Sequence, residues 1–257
     1  MGELLLLAWV AWASQSGCPA DPGCPPYYTA AGIANTAASV AGLYAPNTFV
    51  SIYGLNLSDA TTSLTGNALT ILLPGANVTV LVGGLAADLW YASPGLINIL
   101  IPNQLTEGPV NVQIEVNGVA GPAIQIMLGS VAPAMFQTDA STVLATHLNG
   151  QILSGNSPAQ PGELVVLYAA GLGPTLPAAV PNQPPVTAAT LATPGFQVWL
   201  NGTAVQPLNV AYAGVTPGYA GLYQVNLFVP FGTPSNPEIQ IGWTGQMSPA
   251  QLLLPVQ

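Results

Sequence analysis

Few residues in this chain could carry out chemistry. The 257 residues include one histidine, His147, two cysteines and nine carboxylates, with no lysine or arginine. Asp139, Ser141 and His147 supply the residue types of a hydrolytic triad within one short stretch. Closeness along the chain does not make a site, and no G-x-S-x-G elbow accompanies them. A histidine in a hairpin reads as a surface residue. Glycosidase chemistry needs two acids flanking one bond, whereas Asp59, Asp88, Glu107, Glu115, Asp139, Glu163 and Glu238 are scattered over strand edges and loops and read as solvated charges. No D-x-D-x-D run offers a calcium loop, and two thiols with a distant histidine are too few for zinc. The expectation is a non-enzymatic protein with no metal and no cofactor.

Two other kinds of chemistry remain. Trp90, Tyr91, Trp199, Tyr219, Tyr223 and Trp243 would stack on sugar rings if several shared a face, although core packing explains any one of them singly. N-x-S/T patterns at Asn56, Asn77 and Asn201 are acceptor sites for N-glycosylation by pattern, the last where a hairpin turn is expected.

The charge balance excludes whole classes of partner. Charged residues make up 4% of the chain, against about 25% in an average domain. Neutralising a phosphate backbone or clamping a nucleotide takes Lys and Arg, so neither nucleic acid nor nucleotide is expected. An anionic membrane surface is excluded on the same ground. With only His147 and the amino terminus able to carry positive charge, salt bridges cannot depress carboxylate pKa values. Acid should then break no ion pairs and build little positive self-repulsion. Circular dichroism is expected to show no cooperative unfolding between about pH 4 and 2. Few charges also leave little resistance to self-contact, so a homo-oligomer or polymer is expected.

The beginning of the chain reads as an export signal. Leu4 to Trp12 is apolar, and the A-W-A ending at Ala13 fits a signal cleavage site after Ala13, although Glu3 stands where a positive charge is usual. The alternative is a retained apolar strand. No run reaches the roughly 18 apolar residues of a membrane-spanning helix. Cys18 and Cys24 bracket a turn-rich P-A-D-P-G, and an even cysteine count in an exported protein favours a disulfide between them.

The elements that must position all of this are written twice. PNTFVSIYGLNL from Pro46 matches PGELVVLYAAGL from Pro161, and VTVLVGGLAA from Val78 matches FQVWLNGTAV from Phe196. YASPGLINILIP from Tyr91 matches YAGVTPGYAGLYQVNLFVP from Tyr212, and VQIEVNGVAGP from Val112 matches IQIGWTGQMSP from Ile239. Short Val/Ile/Tyr-rich segments between Gly, Pro and Asn read as strands and turns, and 26 prolines oppose helices. About seven strands per copy fit an all-β chain of two tandem immunoglobulin-like β-sandwich domains. The division is a signal-like leader at 1–13, a Cys/Pro-rich segment at 14–32, a first sandwich at 33–131 and a second at 132–257. Tyr91 and Tyr212 are expected to end strands. Asn149-Gly150 is expected to form a type I′ hairpin turn, and Pro174 to Gly195 an extended exposed loop.

The phrases IANTAAS from Ile33, FVSIYGLNL, APAMFQTDAS from Ala132, LVVLYAAGLGPT and GLYQVN resemble the tandem immunoglobulin-like module, related to IPT/TIG domains, at the C-terminus of many secreted acidobacterial proteins. The similarity covers nearly everything from Ile33 to Gln257. It implies export and a pair of β-sandwiches and supplies no catalytic residues. The expected function is a secreted structural or adhesive protein that self-associates into an extracellular layer or filament at the cell surface. A carbohydrate-binding module, with a surface polysaccharide as partner, is the alternative.

Overall fold

Val112, Ile114 and Val116 are buried while the alternating Asn111 and Glu115 are exposed and Gln113 is half-buried, so period-two alternation places one apolar face of this strand in a core. The computed structural model describes residues 24–67, 69–181 and 183–257, and it applies this device throughout. The first sandwich consists of β1 (Tyr27–Asn35), β2 (Phe49–Leu55), β3 (Thr62–Ser63), β4 (Val78–Val82), β5 (Leu85–Ala86), β6 (Asp88–Ser93), β7 (Leu96–Leu100), β8 (Gly108–Val116), β9 (Val119–Ala120) and β10 (Ile124–Leu128). The second consists of β11 (Ala134–Met135), β12 (Ala145–His147), β13 (Leu164–Ala170), β14 (Thr175–Leu176), β15 (Ala189–Leu191), β16 (Gln197–Leu200), β17 (Thr203–Ala204), β18 (Val210–Val215), β19 (Tyr223–Phe228), β20 (Ile239–Trp243) and β21 (Gln246–Met247). Among the described residues the helical structure is one 3-10 turn, Pro207–Asn209.

In the first sandwich one sheet runs β1-β2-β7-β6-β3 and the other β10-β8-β4-β5, which is the A-B-E-D and G-F-C-C′ arrangement of an immunoglobulin-like domain. The second repeats it with β13-β19-β18 in place of β2-β7-β6, and β20-β16-β17 in place of β8-β4-β5. The chain is therefore two tandem immunoglobulin-like sandwiches. β1 begins at Tyr27, inside the stretch read as the Cys/Pro-rich segment. Each sandwich has its own core, built around Ile52, Ile97 and Ile114 in one and Leu167, Val225 and Ile241 in the other. Burying each such side chain contributes about 1.5–3 kcal/mol. Leu252, Leu254 and Val256 complete the second core.

The duplicated phrase is the hairpin β6-β7 and its counterpart β18-β19. Both carry a bulge at the same place, between Leu89 and Tyr91 and between Val210 and Tyr212. The extra residue is Trp90 in one copy and Ala211 in the other. Tyr91 and Tyr212 thus lie inside their strands, which run on to Ser93 and Val215. At the β12 hairpin Gly150 has φ +85° but Asn149 does not have positive φ, so the turn is not type I′, which needs both. The Gly150 N–H donates to the His147 carbonyl at 3.0 Å, and the Asn149 side-chain oxygen accepts from the Gln151 N–H at 2.9 Å. The Pro174 to Gly195 stretch contributes β14 and β15 to the second sandwich, and between these strands it lies against the first, where Asn103 Nδ2 donates to the Ala179 carbonyl at 3.1 Å.

Small residues let the sandwiches approach each other. Ala37, Ala38, Ala134 and Ala170 form a buried seam with Phe136 packed on it. Asn47 Nδ2 reaches the Tyr223 hydroxyl at 3.3 Å, and that hydroxyl donates to the Gly173 carbonyl at 2.5 Å. Complete burial pushes the Tyr223 phenol up to about 12, despite the Asn47 hydrogen bond.

Candidate functional site

The triad residue types read from the sequence separate in space. Asp139 accepts from the Ser141 N–H at 2.8 Å and the Ser141 hydroxyl at 2.9 Å, an exposed local turn. His147 instead meets Glu163, with Nδ1 2.5 Å from Oε1, and its Nε2 lies 3.1 Å from the Ser157 hydroxyl. This has the order of a serine triad, but the Ser157 hydroxyl also accepts from Gln151 Nε2 at 3.0 Å and the Ser157 N–H is engaged with Ser154. Neither cavity described below is lined by these residues. The chain of bonds fastens the β12 hairpin to the start of β13.

Carboxylate pKa values are depressed here chiefly by neutral groups. The amides of Asn77 and Asn117 hold Asp59 below the usual range, and the Ser141 N–H leads the groups that do so for Asp139. Burial pulls Glu163 upward, but the Gln160 N–H, the His147 hydrogen bond and the His147 charge together leave it low. Lowered values give stability that is present above the unfolded pKa and lost as pH falls through the folded one. Hydrogen bonds thus do what the missing cations were expected to leave undone.

The sequon asparagines serve as turn residues. Asn56, Asn77 and Asn201 all have φ near +50°, at 56°, 51° and 48°, a region Asn tolerates better than other non-glycine residues. Asn77 Nδ2 donates to Asp59 at 2.9 Å, and the Asn201 side-chain oxygen accepts from the Glu238 N–H at 2.8 Å. Cys18, and with it the Cys18–Cys24 disulfide, lies outside the described residues, as do the leader and the cleavage point after Ala13. Among the described residues no group of three or more His, Cys, Asp or Glu could hold a metal, and no helix is long and apolar enough to cross a membrane.

What the fold does bring together is aromatic. Phe49 alternates with the core residues Val50 and Ile52, and Asn98 with Ile97 and Ile99, so Phe49 and Asn98 face outward from the β1-β2-β7-β6-β3 sheet. A bulge re-aims a side chain, and the one between Leu89 and Tyr91 accompanies Trp90 on this face, with its ring 5.6 Å from Phe49 at 77°. From the second sandwich come Phe136, just past β11, and Tyr219, Ala220 and Leu222 from the β18-β19 loop. That loop is the part of the repeated phrase that is longer in the second copy. It packs closely: a Cβ on Gly221 would lie 2.4 Å from Leu100 Cδ1 and 3.0 Å from the Phe49 ring.

The result is a groove of about 260 Å³ lined by Phe49, Trp90, Phe136 and Tyr219, with Thr36 and Asn98 as its polar groups. Tyr219 is 43% exposed. The Asn98 side-chain oxygen is buried without a hydrogen-bond partner, and the Thr36 hydroxyl lies 3.0 Å from that of Ser51. Of the six aromatics singled out from sequence, Trp90 and Tyr219 line this groove. Trp199, Tyr223 and Trp243 are buried in the second sandwich, Trp243 edge-on to Phe196 with its ring centroid 5.4 Å away. Phe49 and Phe136 were not anticipated; an aromatic on the outward phase of a strand was the available signal for Phe49.

A second cavity, about 170 Å³, opens where the proline-rich stretch meets the first sandwich, and Asp88 is the carboxylate that lines it. Asp88 is 8% exposed and its Oδ1 has no hydrogen-bond partner. Burial raises its pKa, so the folded chain holds this proton more tightly than the unfolded one. Its contribution is favourable below the unfolded pKa and is lost as pH rises through the folded value. Asp88→Asn is expected to stabilise the protein at pH 7, where the parent must bury a charge, and to bring no gain near pH 2.5, where the carboxyl is already neutral. Urea unfolding at both pH values checks this.

No protein-family model and no curated protein matches the sequence. Among solved structures the chain is similar to a Bacteroides ovatus surface protein of a mixed-linkage glucan utilization locus, in complex with a mixed-linkage heptasaccharide, at 12% identity and a TM-score of 0.35 over 84% of this chain and 44% of that one. It is also similar to a surface glycan-binding protein of Prevotella bryantii at 11% identity and a TM-score of 0.27, over 88% of this chain and 41% of that one. Tandem immunoglobulin domains of titin match at 11% identity and a TM-score of 0.21, over 81% of this chain and 87% of that one. The chain thus spans less than half the length of either bacterial protein.

Proposed function

We propose that this chain is an exported, non-enzymatic protein that binds a neutral polysaccharide in the groove between its two sandwiches. The observation that carries this reading is the convergence of Phe49, Trp90, Phe136 and Tyr219, from both sandwiches, around the unpartnered Asn98 oxygen. Aromatic faces bury the C–H faces of sugars without requiring charge, and a few polar groups set orientation. A buried acceptor left empty costs about 1–3 kcal/mol, which a sugar hydroxyl donating to Asn98 would offset. The absence of Lys and Arg disfavours anionic glycans. The leader pattern and the even cysteine count support export, with the outer cell surface as the place of action.

Affinity electrophoresis through gels containing neutral glucans, mannans or xylans tests the reading. Retardation by at least one neutral polymer, and none by alginate or pectate, is the expected result. Unchanged mobility in every neutral polymer would overturn it.

Self-association into a layer or filament is the second reading, favoured by Val186, Leu208 and Phe231, which stand 90%, 93% and 87% exposed on a chain with little charge to keep copies apart. Light scattering behind size exclusion is expected to show a mass that grows with concentration. A monomer at every concentration would remove this reading and leave the first untouched.

A further inference from the structure

The cavity over Asp88 shares one wall residue, Ala220, with the aromatic groove but differs from it in chemistry. Asp88 is more than nine-tenths buried, its Oδ1 lacks a hydrogen-bond donor, and among the described residues no other titratable group lines the cavity. A buried carboxylate ordinarily has a cation or several donors as company. This chain contains no lysine or arginine, and its one histidine is held by Glu163 elsewhere. No basic side chain from this copy, or from a second one, can therefore supply the missing cation. Another molecule can supply it.

The rest of the cavity narrows the class. Leu100, Pro102, Pro177, Val180 and Val186 provide apolar wall, against which an alkyl stem would lie while its charged end reached the carboxylate. A single carboxylate at the end of an apolar wall suits a compact ammonium carried on a flexible carbon stem. Calcium would need six or more oxygen ligands, usually several of them carboxylates, and only one carboxylate is present here. We propose that this cleft binds a linear alkylammonium group, with its carbon stem on the proline and valine walls and its head on Asp88. The group would be either a lysine side chain of a partner or a free diamine.

Calorimetry and thermal shift on the full chain at pH 7.5 test this with Nα-acetyl-lysine methylamide and 1,5-diaminopentane, with 1-pentanol and calcium chloride as controls. Saturable binding of the lysine derivative supports the site and points to a protein partner, and binding of the diamine alone supports it and points to a free polyamine. Asp88→Asn, which removes a buried charge and should fold at least as well, is expected to weaken amine binding tenfold or more. Val186→Trp, which fills the cleft from an exposed position, is expected to block it with Asp88 intact. The proposal is overturned if 1-pentanol binds as well as the amines, if Asp88→Asn binds them as tightly as the parent, if calcium alone stabilises, or if no amine binds. None of these outcomes bears on retention by polysaccharide, which the groove would provide.

Discussion

Trp90→Ala is expected to lower the affinity for a retained neutral polysaccharide ten- to thirtyfold while leaving the fold in place. Truncating an aromatic that matters at a binding surface costs more than about 1 kcal/mol and about 2 kcal/mol at a central one, and about 1.4 kcal/mol is a factor of ten. Trp90 is the extra residue of a bulge on the outward face of its sheet, partly exposed and packed edge-on to Phe49 at 5.6 Å. Losing that ring contact should cost about 0.5–1.5 kcal/mol of stability, a small shift in a urea midpoint. Trp243→Ala provides the contrast. Trp243 is 8% exposed, donates to the Pro194 carbonyl at 2.9 Å and belongs to the second core, so its truncation should cost about 3–5 kcal/mol. Molecules that still fold should retain their affinity. Gel mobility and urea unfolding of both variants separate binding ring from core ring, and unaltered retention of Trp90→Ala would remove the groove as the site.

Gly171→Ala is expected to destabilise the protein by about 3 kcal/mol or more. Gly171 has φ +72°, and a Cβ there would lie 2.1 Å from the Ala132 carbonyl oxygen and 2.8 Å from its carbon. Both are backbone atoms of the segment joining the sandwiches, and the Ala132 N–H donates back to the Gly171 carbonyl at 2.8 Å. Relief would require moving β11 off β13, where Ala134 pairs with Ala170. Phe136, whose N–H donates to the Tyr168 carbonyl at 3.0 Å, would move with it, so polysaccharide affinity should fall as well. Gly150→Ala supplies the reference: φ is +85° there too, but nothing lies within 4 Å of the added carbon, so only the backbone cost of about 1 kcal/mol applies. Equal losses for the two variants in urea unfolding would show that the close approach at Ala132 does not matter.

The fold was legible because its signals are local. Alternation such as Val112, Ile114, Val116 against Asn111, Gln113, Glu115 selects a strand and its buried face, and a phrase repeated with the same strand order yields a second sandwich. Turn chemistry was less legible. Asn149-Gly150 matches the I′ pattern, yet only Gly150 takes positive φ, because a dipeptide does not specify how the flanking strands are offset. Bulges were invisible for the same reason: Trp90 and Ala211 become extra residues only against their partner strands.

By itself, the amino-acid sequence determined that this protein is built of β-strands in two like halves and lacks the cations that nucleic acids, nucleotides and anionic surfaces require. Those properties depend on composition and on periods of two residues. The tertiary structure alone decided that His147 meets Glu163 and Ser157 in place of Asp139 and Ser141, and that Asp88 is buried without a partner. It alone decided that Phe49, Trp90, Phe136 and Tyr219 share a groove. Each of these depends on how elements far apart in the chain pack together, through a seam of small alanines and a loop lengthened in one copy only, and no local pattern of residue types encodes that packing.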